Sequence, residues 1–307
     1  MRTRRRRFQA SVPTHLYMRG IRKQIIFFDD LDRIFYLMSY ATMTRKMGIQ
    51  TLSLSIMFDH IHSINVFNNR EEMAGFVRNH LSFFALGYNR DAGREGSLFE
   101  KAYGNAPKWT LKKARSAIIY VGNNHVEKGI CKYAEENRWS FIAYLESDHP
   151  FSPAIDRKKA SAHFRRCLKS IDAFVKQNSV IPYHILREYF QPLSPLEKEQ
   201  LTDYLISQYN PIDKKAVLSY FGDSFETFLL ALHSTTGSDY DIKEDFNVPT
   251  HQPFINLLNL CKRSSFKNNM KRIQTAPEKE KIAHLLKEIS GESVFDISRF
   301  LDYDGGG

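Results

Sequence analysis

Met57-Phe58-Asp59-His60-Ile61-His62-Ser63-Ile64-Asn65-Val66 places two histidines two residues apart inside a run that alternates like a β-strand. Side chains at i and i+2 of a strand share a face, so His60 and His62 project together while Ile61 and Ser63 face the other way. Neutral imidazole is a common ligand of divalent metals, and two of them on one face form half a clamp. Two ligands do not complete a site, so at least one more polar group has to come from elsewhere in the chain. By itself the pair describes a polar strand face equally well. The bend at Asp59 joins 60–67 to a preceding strand, 51–58, and puts His60 near a strand edge.

A second stretch supplies the missing chemistry. Leu111-Lys112-Lys113-Ala114-Arg115-Ser116-Ala117-Ile118-Ile119-Tyr120-Val121-Gly122-Asn123-Asn124 reads as a helix, with a stop at Gly129. If it is helical through Asn124, then Ser116, Tyr120 and Asn124 lie four apart on one stripe, with Lys112 and Lys113 a turn earlier. A phenol, an amide and two cations then share a face. A lone tyrosine in such a helix is more often a core residue with its hydroxyl at the rim.

Together the two stretches resemble the HUH-type single-tyrosine transposases, closest to the branch of REP-associated tyrosine transposases. There a strand carries His-hydrophobic-His and a helix carries a pattern like Y-I-x-x-N-P-V-x-x-G; Tyr120, Val121, Asn124, Val126 and Gly129 are in register with it. Three further blocks stand in the family's order. They are Thr14-His15-Leu16-Tyr17-Met18-Arg19-Gly20, Gly96-Ser97-Leu98-Phe99-Glu100-Lys101-Ala102-Tyr103, and a closing Arg138-Trp139-Ser140-Phe141-Ile142-Ala143-Tyr144. The resemblance covers about the first 150 residues, and an ordered set of blocks is more specific than any one motif. Two positions depart from it: His125 stands where proline follows the asparagine, and Phe58-Asp59 stands where Pro-Asn precedes the first histidine. Neither removes a group that the chemistry needs.

The resemblance implies Tyr120 as nucleophile, His60 and His62 as metal ligands, Asn124 as a third ligand, and Mg²⁺ or Mn²⁺ as the ion. Hard cations prefer oxygen, so two imidazoles lean toward Mn²⁺ in affinity. The implied activity is metal-dependent cleavage and rejoining of single-stranded, hairpin-forming DNA through a 5′-phosphotyrosine. A phenolate leaves more readily than an alkoxide, so such a link is reversible. Two other readings stay open: a DNA-binding regulatory or architectural protein of the same fold with little or no turnover, and a replication initiator or relaxase. The last usually carries an extra histidine or a second tyrosine, and neither is evident.

Charge points to the same partner. The 307 residues carry a formal charge of +10, and residues 1–150 hold 23 Lys and Arg against 14 Asp and Glu, leaving 21 against 20 for 151–307. A polyanion is expected at the half with the histidines and the tyrosine. Arg4, Arg5, Arg6 and Arg7 in the N-terminal arm, Arg19, and Lys112, Lys113 and Arg115 on the tyrosine helix are the candidate DNA contacts. Phe99, Tyr103 and Trp109 are stacking candidates that serve equally as core. Three scattered cysteines make neither a disulfide framework nor a zinc knuckle. No apolar stretch reaches the roughly 20 residues of a membrane span, so a cytoplasmic monomer or homodimer without a membrane partner is expected.

Periodicity along 1–150 predicts an α+β fold: an antiparallel sheet with helices packed on it, as in the HUH, ferredoxin-like catalytic domain that the resemblance implies. The order read is an extended stretch 12–28 bent at Gly20, a helix to about 46, the strand pair, a helix 71–88 after Asn68-Asn69, the tyrosine helix and a closing strand. Residues 151–307 read as a second, all-helical domain, with helices at 154–177, 194–208, 213–221, 225–234, 253–260 and 277–289. Its last part, 277–301, is similar to the start of a helix-turn-helix. No recognition helix follows in 302–307, so this half is expected to pack on the first or on another subunit and to add little sequence-specific affinity.

Overall fold

The structure, a computed structural model, describes residues 7–21, 24–101, 103–234, 253, 255–257, 260 and 276–301. Strand β1 (Pro13–Arg19) leads to α1 (Asp30–Met47), β2 (Gln50–Ile56), β3 (His60–Val66), α2 (Arg70–Ala92) and β4 (Gly104–Pro107). The strands pair antiparallel in the order β2-β3-β1-β4. Two β-α-β crossovers therefore interleave around the β2–β3 hairpin, which is the split βαβ, ferredoxin-like pattern. The expected α+β class is what the chain adopts.

Local chemistry sets the boundaries. Asp29 caps α1 by accepting from the Asp32 N–H, Asp32 returns the bond, and Gly48 ends the helix at φ 67°. Asn69 caps α2 by accepting from the Glu72 N–H, and the Glu72 carboxylate accepts from the Asn68 N–H. This helix runs past its expected end at 88 because Tyr88 and Ala92 continue its buried stripe, and Gly93 then stops it at φ 62°.

Alternation along the strands splits the sheet into two faces. Leu16, Met18, Leu54, Ile56 and Ile61 point to α1 and α2 and join their core. The other face carries His15, Tyr17 and Arg19 from β1 with His60, His62 and Ile64 from β3. It is covered by α3 (Leu111–Gly122), whose Ala117, Ile118, Tyr120 and Val121 pack with Leu52 and Ile64. The two crossover helices thus share one side, and the tyrosine helix closes the other.

One strand differs from expectation. No strand follows the tyrosine helix among the described residues, where 138–140 and 143–145 form 3₁₀ turns, and the fourth strand is β4, ahead of that helix. Four residues, Gly-Asn-Ala-Pro, show no alternation to read. Gly104 is required there because the Tyr17 ring lies across it, and a Cβ would overlap that ring. The Trp-Ser-Tyr block is a brace instead: Trp139 and Phe58 flank the buried Arg33 guanidinium at 5.4 and 4.7 Å from their ring centres. Tyr144 donates to Asp203 at 2.6 Å.

After α3 come a single-turn helix α4 (Asn124–Glu127), then α5 (Ala162–Lys176), α6 (Tyr183–Phe190), α7 (Pro195–Tyr209), α8 (Lys214–Ser219), α9 (Phe225–Ser234), α10 (Ala276–Ser290) and α11 (Val294–Leu301). Helix α6, which the sequence reading missed, is short and follows Pro182. The hydrophobic core runs across residue 150. Phe164, Leu168, Ile171, Tyr183, Leu205 and Tyr209 join the cluster of α1 and α2, and Val217, Phe221, Phe228 and Leu232 join that of α3. Helices α10 and α11 bury Ile282, Leu286, Ile297 and Phe300 with Ile25, against Phe28 and Phe58 beside the histidine hairpin. Of the helix expected at 253–260, residues 253, 255–257 and 260 are described, and each is helical.

Candidate active site

The site forms where α3 crosses the middle of the sheet. On β3, His60 and His62 share a face as their spacing requires, with ring centres 4.9 Å apart and planes nearly perpendicular. Antiparallel pairing sets Arg19 opposite His60, Tyr17 and Ser55 on either side of His62, and His15 opposite Ile64. His15 reaches diagonally to His62: the rings stack at 5.1 Å, with His15 Nε2 2.9 Å from His62 Nδ1. Asp59, at the hairpin bend, holds His60 through Oδ1 to Nδ1 at 2.6 Å.

Tyr120 comes down onto this surface from α3. Its ring meets His62 at 5.7 Å and His15 at 5.8 Å, edge-on in both cases. It is buried, only 4% exposed. The helix ends at Gly122, and Asn123 leaves helical geometry at φ −84°, ψ 5°. Asn124 therefore lies in the next turn, α4, rather than on a continuous stripe with Ser116 and Tyr120. That turn is anchored twice. Asn123 Nδ2 donates to the Leu232 carbonyl at 2.7 Å, and His125 bridges Ser55 Oγ at 3.3 Å and the Ile56 carbonyl at 3.2 Å. His125 thus ties the turn to β2.

Asn124 Oδ1 is buried without a hydrogen-bond partner. Such an atom costs about 1–3 kcal/mol unless a partner arrives. Among the described residues no group of three or more His, Cys, Asp or Glu is arranged to hold a metal. A third protein donor beside the two histidines would have to be of another type, and an amide oxygen qualifies.

The electrostatics favour neutral imidazoles. Burial, then the nearby charges of His60, His15, Arg19 and Lys128, holds His62 well below the ordinary histidine range. Burial, helped by Lys108, pushes His15 down to about 3. Metal ligation requires an unprotonated ring nitrogen, and neither group has to lose a proton at neutral pH. No activated thiol competes as nucleophile among the described residues: burial pushes Cys131 up to about 12 and Cys167 up to about 11.

The basic candidates disperse. Arg4, Arg5 and Arg6 lie outside the described residues. The Arg7 guanidinium lies 5.9 Å over the Trp109 ring, and with Lys108, Lys113 and Ser116 they line a cleft of about 210 Å³ at the start of α3. Lys112 is exposed one position before Lys113. Arg115 uses its Nε to hold the Tyr220 carbonyl at 2.5 Å, and Arg19 ends β1 beside His60. Of the stacking candidates, Trp109 is half exposed, whereas Phe99 and Tyr103 belong to or pack on the core.

Four residues at the site were not assigned from sequence: His15, Ser55, Asp59 and His125. The alternation His15-Leu16-Tyr17-Met18-Arg19 was a usable signal for His15, but its distance from His62 depends on β1 pairing with β3, which no local pattern encodes.

The chain is similar to the solved structure of a REP-associated tyrosine transposase bound to a REP hairpin, at 14% identity, over 53% of this chain and 96% of that one, with a TM-score of 0.40. No family model and no curated protein matches. A likeness of that size carries no functional inference. What the fold and its site define is an α+β protein with a buried tyrosine set against a histidine-bearing strand. Among the described residues no helix is long and apolar enough to cross a membrane.

Proposed function

We propose that the chain is a metal-dependent endonuclease and strand transferase of single-stranded, hairpin-forming DNA, working through a 5′-phosphotyrosine at Tyr120. The observation that carries this reading is the meeting of Tyr120 with His62 and His15 across the α3–sheet interface. The donor set fits a divalent cation: two imidazoles on one strand face, with the unpartnered Asn124 Oδ1 in the turn after the tyrosine helix. His60, His62 and Asn124 would hold Mg²⁺ or Mn²⁺, which when bound would supply Lewis-acid polarisation of the scissile phosphate.

The chain's own residues do the rest. The Tyr120 Oη attacks phosphorus, and a P–O bond to tyrosine forms as the P–O3′ bond breaks. The phenol gives up its proton and the departing 3′ oxygen takes one, leaving a free 3′-OH. A DNA 3′-OH reverses the step, because phenolate is the better leaving group. The α3–sheet packing supplies the positioning, which is worth several kcal/mol in a reaction of this kind. Arg4 to Arg7, Arg19, Lys112, Lys113 and Arg115 neutralise backbone phosphates, and Trp109 offers a ring for an unpaired base.

Incubation of hairpin-bearing oligonucleotides with Mn²⁺ tests the reading. Wild type should form a denaturation-resistant protein–DNA adduct and release a 3′-OH product; Tyr120→Phe should form no adduct and keep its DNA affinity. An adduct with the Phe variant removes Tyr120 as nucleophile. A second reading, a DNA-binding regulatory protein with little or no turnover, draws on the burial of Tyr120, and tight hairpin binding without any cleavage would favour it.

A further inference from the structure

Each imidazole of the pair is held by a neighbour at the same ring atom. Asp59, 1% exposed at the hairpin bend, lies 2.6 Å from His60 Nδ1. A carboxylate only accepts, so His60 Nδ1 carries hydrogen. An imidazole with one N–H then keeps its lone pair at Nε2. His62 Nδ1 lies 2.9 Å from His15 Nε2, and one of these two atoms is the donor. If His15 donates, His62 is left with hydrogen on Nε2 and cannot ligate through it. If His62 donates, its Nε2 matches that of His60.

We propose that Asp59 and His15 are positioning residues that fix His60 and His62 as Nδ1–H tautomers, presenting both Nε2 lone pairs to a divalent cation. This rests on the metal reading above. Asp59 sits in the tight hairpin bend directly before His60, where its backbone carbonyl accepts from the Gly20 N–H at 2.8 Å, and His15 is fixed by the β1–β3 register with its ring stacked on His62 at 24° between planes. A ligating imidazole whose other nitrogen is held in this way is oriented and made a better donor, and loss of such a partner typically costs about 10–100-fold in metal affinity.

Two measurements decide it. In metal-free protein labelled with ¹⁵N-histidine, long-range ¹H–¹⁵N correlations should show His60 and His62 protonated at Nδ1 and bare at Nε2. A His62 protonated at Nε2 overturns the role of His15. Mn²⁺ titration of the full chain should show affinity falling about 10–100-fold in Asp59→Ala and His15→Leu, while Asp59→Asn, whose amide oxygen still accepts from His60, loses less than about tenfold. Equal affinity in Asp59→Ala and wild type overturns the role of Asp59. If wild type binds no Mn²⁺, the metal reading falls, and the tautomers of the metal-free protein still decide the orientation by themselves.

Discussion

The two faces of β3 bury polar groups in opposite ways. Toward α1, Asn65 accepts from Ser63 Oγ at 2.8 Å and donates to Tyr40 Oη at 2.7 Å and Thr51 Oγ1 at 3.0 Å. Nearby, His80 bonds Tyr36 Oη through one nitrogen and the Phe76 carbonyl through the other. These groups are spent on one another, which is how a polar network rigidifies a core. Toward α3, a tyrosine ring leans on two histidines and Asn124 keeps a buried oxygen without a partner. A closed network holds the fold, whereas an amide oxygen left open inside a packed interface awaits a partner that folding did not provide. Histidine content alone distinguishes neither face; what each side chain already bonds does.

The largest effect that separates the faces is chemical. His60→Ala or His62→Ala should reduce metal-dependent DNA cleavage below detection while leaving a cooperative melt, and His80→Gln should leave cleavage in place. Undiminished cleavage by either site variant breaks the comparison, since the open face would then be as structural as the closed one.

Acid should act on both faces alike. His62, His15 (about 3) and His80 (about 4) all titrate in the folded chain below the ordinary value of 6.5, burial being the leading cause. Below pH 6.5 the unfolded chain takes up protons that the folded chain refuses, so stability falls as pH falls from about 6.5 toward 4. Three such groups should lower the unfolding free energy by about 4 kcal/mol between pH 7 and 5.5, at roughly 1.4 kcal/mol per pH unit for each fully unpaired proton. Urea titrations at the two pH values check this, and His80→Gln should remove about a third of the loss. A flat profile would mean that these rings are not held neutral.

The asparagines give the next contrast. Asn65→Ala breaks three hydrogen bonds, to Ser63, Tyr40 and Thr51, so a loss of about 3 kcal/mol is expected. Asn124→Ala removes an unsatisfied oxygen and should cost about 1 kcal/mol or less, while Mn²⁺ affinity falls. If denaturant melts show equal losses, Asn124 is a core residue like the other.

What the sequence made legible follows the range of the interactions. Period-two alternation put His60 and His62 on one face and Ile61 on the other, and caps at Asp29 and Asn69 marked α1 and α2, because these signals are local. The four-residue β4 escaped, since its reason for existing is the Tyr17 ring across Gly104 on another strand. The break at Asn123 escaped too: helical spacing continues to Asn124, but tertiary bonds to Leu232 and, through His125, to β2 pull the turn aside. His15 and Asp59 were visible as residues and silent as partners, because pairing register decides whom they touch.

The smallest expected effect concerns how DNA reaches the open face. Lys113 lines the cleft with Arg7 and Trp109 at the start of the tyrosine helix, on the half of the chain that holds nearly all the net positive charge. Each phosphate neutralised on a single strand contributes about 0.7 to the slope of log K against log salt, so Lys113→Ala should lower that slope by about this much at unchanged stability. Arg115→Ala should lower it similarly and also cost about 1 kcal/mol of stability, because its Nε holds the Tyr220 carbonyl and the loss of one hydrogen bond is of that size. Lys159 is the control: its side chain is 88% exposed in the half of near-zero charge, and replacing it should leave the slope alone. Fluorescence anisotropy on a hairpin oligonucleotide from 50 to 300 mM salt reads all three. Equal slopes for the Lys113 and Lys159 variants would show that the DNA does not enter beside Trp109, and would leave the N-terminal arm and Arg19 to bring the strand to the histidines.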